Sequence, residues 1–256
     1  MLRGFRFETI YNDATTDRRS LYGITFCYGM LNYILPAKTG EIAYIVLAKI
    51  HLSYNIIQNI TVIINARFFD IIEIALILTL IFLKSTEMPG WMLSSLIIFE
   101  ILVLSIVFIL FLIRNYGNKF LYKINHYIPR RFLQQVIQHA RILNSAKVIW
   151  SQTLIAILIW LCIYANFYCI ISAIGFNPSL DQVILISVVM IPLTLLPQGV
   201  ANIGTHEIAW IFVFQLYGVG HQESLQIAVT SHILLLLNVF LIGIIGLFLI
   251  YRAKVR

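Results

Sequence analysis

The sequence predicts an all-α fold: a polytopic integral membrane helix bundle with two opposed re-entrant hairpins, laid out like an inverted-repeat transporter. Three observations lead there. The 256 residues are 60% hydrophobic and only 11% charged, with mean hydropathy +0.90, whereas soluble domains carry about 25% charged residues. Several apolar runs are long enough to span a bilayer. Two further runs are broken in the middle by Pro, Gly and charge, at Leu35-Pro36-Ala37-Lys38-Thr39-Gly40-Glu41 and at Leu196-Pro197-Gln198-Gly199-Val200-Ala201-Asn202-Ile203-Gly204-Thr205-His206-Glu207. Non-helical backbone and charge at membrane depth are tolerated where protein or a wet cavity surrounds them.

Residues 1–20 are polar, with Arg3, Arg6, Arg18 and Arg19 and no apolar stretch of the signal-peptide kind. They read as a cytoplasmic segment ahead of one membrane domain, 21–251. Residues 21–35 would be about 22 Å long as a helix, short of the roughly 30 Å hydrocarbon core. Residues 41–51 are shorter still. Pro36 cannot continue a helix, because it lacks an N–H and its ring meets the preceding turn. Gly40 tolerates a bent backbone. Together 21–51 read as a re-entrant hairpin; two short buried or interfacial helices are the plainer alternative.

Residues 55–83 can span with tilt. Asn65, Arg67, Asp70 and Glu73 lie mid-run, and the i, i+3 spacing lets Arg67 and Asp70 pair on one face. Residues 92–113 form the next span. Residues 114–147 hold seven of the 18 basic residues and no acidic one. Their latter part, from Arg131, fits a basic amphipathic helix on the membrane surface. Residues 148–174 span again, 182–217 contain the second break and read as the second re-entrant hairpin, and 224–251 make the last span. The basic loop 114–147 is expected in the cytoplasm. Counting from it puts both termini inside and makes the two hairpins open from opposite faces. Each break is followed by a polar-centred span: Arg67 lies 26 residues after Glu41, and His232 lies 25 after Glu207. That is the weak internal symmetry of inverted repeats, whose sites form where broken helices meet. Cys27, Cys162 and Cys169 lie in apolar runs with no metal-ligand spacing and read as packing residues.

Asn32 with LPAKTGE, then Arg67 and Asp70, then LPQGVANIGTHE, resembles the membrane region of lysylphosphatidylglycerol synthases, the lipid-flippase half of the multiple peptide resistance factor. The resemblance covers about residues 20 to 250. Asn32, Pro36, Gly40 and Glu41 match its first motif, with Lys38 where arginine is usual. Arg67 and Asp70 match its polar span, with Ala66 where many members have glutamate. Gly199, Gly204 and Glu207 match its second motif, with His206 where arginine is frequent. Relatives usually have one or two more leading helices, so the chain reads as a shortened form, a truncated gene or a start placed too late.

The resemblance implies a lipid translocase in the cell membrane of a bacterium or archaeon. Substrate-binding candidates are Asn32, Lys38, Glu41, Arg67, Asp70, His206, Glu207 and His232; Pro36, Gly40, Pro197, Gly199 and Gly204 are the structural breaks. Lys38 and Arg67 suit a phosphate, and Glu41 and Glu207 an amine or those cations. A satisfied ion network without ligand is the alternative. An intramembrane enzyme using His206, Glu207 and His232 as acid–base groups is a second class. It is disfavoured, because there is no HExxH, no nucleophile in a recognisable setting and no metal cluster. A supporting subunit is a third. No catalytic residue, metal or cofactor is expected. Expected partners are membrane phospholipids and a lipid-modifying synthase or glycosyltransferase, with no nucleic acid; a homo-oligomer stays open.

Overall fold

The structure, a computed structural model, describes residues 1–11, 13, 16–36, 39–84, 90, 93–94, 97–106, 108, 145–186 and 199–254. Lys38 and Pro197, almost all of the basic loop 114–147, and most of the first arm of the second hairpin lie outside the described residues. Within them every regular element is helical. The helices are α1 (Leu2–Tyr11), α2 (Arg18–Ile34), α3 (Gly40–Leu52), α4 (Ile56–Lys84), α5 (Ala146–Ala173), α6 (Thr205–Leu216) and α7 (His221–Lys254). Also described are a short apolar helix, Ile97–Ile106, a helical stretch over 180–186 and a 3-10 turn, Val200–Asn202. Helices occupy Ile56–Lys84, Ala146–Ala173 and His221–Lys254, where spans over 55–83, 148–174 and 224–251 were expected; of the expected span 92–113, Ile97–Ile106 is the described helix. The polar segment 1–20 carries a helix that composition did not announce.

These elements fall into two compact units. The first contains residues 1–8, 13–54 and 158–256. In it α2 and α3 fold back on each other across the first break. Tyr28 meets Tyr44 edge-on at 5.4 Å, and Phe7 of α1 closes the aromatic triad at 4.8 Å from Tyr44. α7 crosses α2 at glycines. A Cβ on Gly246 would lie 2.7 Å from the Gly23 carbonyl oxygen, and one on Gly243 would run into Met30. Small residues that let backbones approach are how helices associate where water provides no hydrophobic drive. α6 packs against α7, and Phe167 of α5 meets Trp210 of α6 edge-on at 5.7 Å.

The second unit contains residues 9–12 and 55–157. Tyr11 donates to Asn59 Oδ1 at 2.7 Å, and Gln152 Nε2 donates to Thr9 at 2.6 Å. Both Asn59 and Gln152 are buried, so these bonds offset part of what burying the two amides costs, while Gln152 Oε1 accepts no hydrogen bond from the described residues.

α5, and α7 over His221–Ala253, are long and apolar enough to cross a membrane. On α7 Leu241, Ile244 and Leu247 are more than half exposed, a surface suited to lipid rather than to water. α4 is as long as α5, but Arg67, Asp70 and Glu73 interrupt its apolar run.

Candidate functional site

Each break is built by a different device. α2 runs out at Leu35, whose backbone is extended and whose N–H still reaches the Leu31 carbonyl. Pro36 follows and stops the helix. The Thr39 hydroxyl and amide both donate to the Pro36 carbonyl, and α3 begins at Gly40. Gly40 does not need glycine's backbone freedom, since positive-φ glycines occur at 175, 204 and 218 only among those described. It is needed because a Cβ there would lie 2.3 Å from Asn32 Cα and N. The reason differs from the bent backbone expected of it: the two arms of the break touch here, backbone to backbone.

At the second break Gly199 is extended, Ala201 and Asn202 take left-handed conformations (φ 56° and 59°), and Gly204 has φ 87°. Non-glycine residues adopt such backbone at a cost of order 1–3 kcal/mol each, and surrounding contacts must hold them there. Those contacts come from the polar residues. Glu207, in the first turn of α6, reaches back so that Oε2 accepts from the Gly204 N–H at 2.7 Å. Its Oε1 lies 2.5 Å from His232 Nδ1 on α7, and His232 Nε2 lies 2.8 Å from the Ala201 carbonyl oxygen. Glu207 and His232 therefore clamp the turn from both ends.

A second histidine lies beside the clamp. The His206 ring stacks on that of His232 at 4.3 Å and on Trp210 at 5.2 Å. His206 is fully buried. Its Nδ1 is 3.5 Å from the Tyr33 hydroxyl, and its Nε2 is 3.5 Å from Ser231 Oγ. Ser231 donates its own proton to the Ala228 carbonyl, so it can only accept from His206. Tyr33 also hydrogen-bonds the side chain of Asn202 and meets the His232 ring edge-on. Tyr33 stands three residues before Pro36, so the helix leading into the first break touches the turn of the second.

Of the expected site residues, His206, Glu207 and His232 are thus in mutual contact. Asn32 is one residue from Tyr33; its Oδ1 is buried and accepts no hydrogen bond from the described residues. Glu41 is half-buried in the first turn of α3, where the positive end of the helix dipole favours a carboxylate. Arg67 and Asp70 belong to the other unit. They pair at 3.7 Å, with side chains 35% and 17% exposed. Among the described residues no group of three or more potential metal ligands occurs. Tyr33 and Asn202 were not anticipated. A tyrosine in an apolar run reads as core, and the only signal was its position one turn before the proline.

The sequence matches the family described as the lysylphosphatidylglycerol synthase TM region over residues 1–243, and the chain belongs to that family. The match starts at residue 1, so it takes in α1, which the motifs alone had left out. It makes the chain an integral membrane protein. No curated protein and no solved structure matches.

Proposed function

We propose that the chain is a membrane lipid translocase, moving an anionic or aminoacylated phospholipid, or a polyprenyl-phosphate-linked lipid, between leaflets. The barrier it lowers is physical. A charged head group must cross about 30 Å of hydrocarbon, in which each charge is costly. In this reading the two broken segments are re-entrant, enter from opposite faces, and build a polar path where they meet. The observation that carries it is the contact of Tyr33, at the end of the first broken helix, with Asn202 and His206 of the second break. The family supports it, and so does the buried acceptor of Asn32, which suits a head-group amine or hydroxyl. Arg67 supplies the cation for a lipid phosphate, oriented by Asp70 across a contact longer than a charge-assisted hydrogen bond. No catalytic step is assigned to any residue.

The test is movement of a fluorescent anionic phospholipid in proteoliposomes, read as loss of protection from an impermeant quencher. Wild-type protein should expose inner-leaflet lipid that protein-free vesicles keep protected. Arg67→Ala should fall to the protein-free rate while remaining membrane-inserted. Breaking an ion pair harms structure as well, so the informative variant is Arg67→Met with Asp70→Leu, in which an apolar replacement leaves no charge unpaired. A double variant that melts like wild type and still moves lipid would remove Arg67 from the reading. Wild-type protein that moves no lipid would end the reading itself.

A further inference from the structure

The hydrogen-bond geometry around His232 sets its proton count. Nε2 faces the Ala201 carbonyl, which can only accept, and Nδ1 faces a carboxylate oxygen of Glu207 at 2.5 Å. Neutral imidazole has one N–H and one bare nitrogen. Either neutral tautomer, set against an ionised Glu207, leaves two acceptors facing each other. Satisfying both contacts takes one more proton than neutral histidine plus carboxylate possess. The adjacent ring has no need of it: Tyr33 O–H can donate to His206 Nδ1, and His206 Nε2–H to Ser231 Oγ. The titratable groups facing His232 are Tyr33 from α2 and His206 and Glu207 from α6; among the described residues no Lys or Arg is recorded against it.

From this we infer that Glu207 and His232 form a proton-binding site, loaded in the conformation described here and emptied during the transport cycle, so that lipid movement is coupled to proton movement. The inference rests on the translocase reading. The step balances simply: the shared proton passes to water, leaving a neutral imidazole and a carboxylate. Its mechanical consequence follows from the clamp. With the proton gone, only one of the two contacts, Nδ1 to Oε1 or Nε2 to the Ala201 carbonyl, still attracts. The turn between Ala201 and Gly204, with its two left-handed non-glycine residues, then loses one of the contacts that hold it. Access divides between the partners: the Glu207 side chain is 19% exposed and that of His232 only 4%. Glu207 is thus the member that solvent or a head group can reach.

Glu207→Gln isolates the proton. A glutamine can accept from the Gly204 N–H and donate an amide hydrogen to a bare Nδ1, so a neutral His232 keeps both of its bonds. The variant needs no extra proton and retains the clamp. Wild-type and Glu207→Gln proteins are reconstituted with fluorescent anionic phospholipid and an internal pH dye. A transmembrane gradient of about one pH unit is then imposed, which biases a one-proton-coupled equilibrium about tenfold. The expected wild-type result is a leaflet distribution displaced about tenfold by the gradient, with proton flux that depends on the lipid. In Glu207→Gln, melting like wild type, lipid-dependent proton flux should fall to the protein-free level. Magnetic resonance of histidine- and glutamate-labelled wild type should show either hydrogen on both ring nitrogens of His232 or a protonated Glu207 carboxyl. Lipid that moves but distributes evenly despite the gradient overturns the coupling and leaves the translocase reading intact. Absence of lipid movement overturns both. A bare nitrogen on His232 beside an ionised Glu207 in wild type, or undiminished lipid-dependent proton flux in Glu207→Gln, overturns the proton site.

Discussion

Gly40 and Gly29 look alike in the sequence, two glycines of one hydrophobic region, yet the structure separates them by what a single methyl group would meet. At Gly40 it would lie 2.3 Å from backbone atoms of Asn32, while at Gly29 nothing lies within 4 Å. Backbone cannot rotate away as a side chain can, so Gly40→Ala must part α2 from α3. Overpacking of this kind costs about 1–3 kcal/mol. Gly29→Ala, in the interior of α2, should instead stabilise by roughly 0.5–1 kcal/mol through helix propensity. Thermal unfolding in detergent checks the pair; equal effects of the two changes would show that the first break is not closely packed. The neighbouring Pro36 made Gly40 legible as special, but the reason for it was not legible, because close approach depends on Asn32 from another helix. His232 was legible only through its spacing from Glu207. Tyr33 and Asn202 stayed hidden, since their role arises when two breaks 160 residues and more apart in the chain come together.

Helix ends were easier to read than helix contacts, because caps are local chemistry. Asp17 shows this at the start of α2. Its carboxylate accepts from the Arg19 and Ser20 amides and from the Ser20 hydroxyl at 2.6 Å. Partial burial pushes the Asp17 carboxyl up. The Ser20 and Arg19 hydrogen bonds and the Arg19 charge outweigh that and hold it below the ordinary carboxylate value. A depressed value means that the folded state favours the ionised form. The stability contributed is present above the unfolded-state value of about 3.9 and fades as pH falls through the lower folded-state value. Asp17→Ala should therefore cost about 1 kcal/mol near neutral pH. The deficit should shrink in acid, below about pH 3.9, as measured by melting wild type and variant side by side across pH. A deficit unchanged by acid would mean that the cap does not act through its charge. α1 was illegible for the opposite reason. Its weakly apolar pattern becomes a helix face only once Phe7 has Tyr28 and Tyr44 to pack against.

At the scale of the molecule, orientation is the strongest statement that composition makes. Residues 114–147 carry Arg114, Lys119, Lys123, Arg130, Arg131, Arg141 and Lys147 with no acidic residue. Moving such a loop outward works against the bias that keeps Lys and Arg in the cytoplasm. α5 turns that bias into a two-sided prediction. It runs without interruption from Ala146 to Ala173, about 42 Å at 1.5 Å per residue, more than the roughly 30 Å hydrocarbon core. If it spans, the end of the basic segment and the exposed turn at Asn177 face opposite compartments. The experiment requires replacement of Cys27, Cys162 and Cys169 first, because two of them are exposed. Single cysteines are then placed at Gln135, Asn177 and Val255 and challenged in whole cells with an impermeant thiol reagent. The Asn177 position should label, and the other two should label only after permeabilisation. Labelling at both Gln135 and Asn177 in intact cells would mean that α5 lies along the surface and does not cross. Labelling at Gln135 alone would invert the whole orientation: the assigned faces of both broken segments were counted outward from this loop, so both would change together.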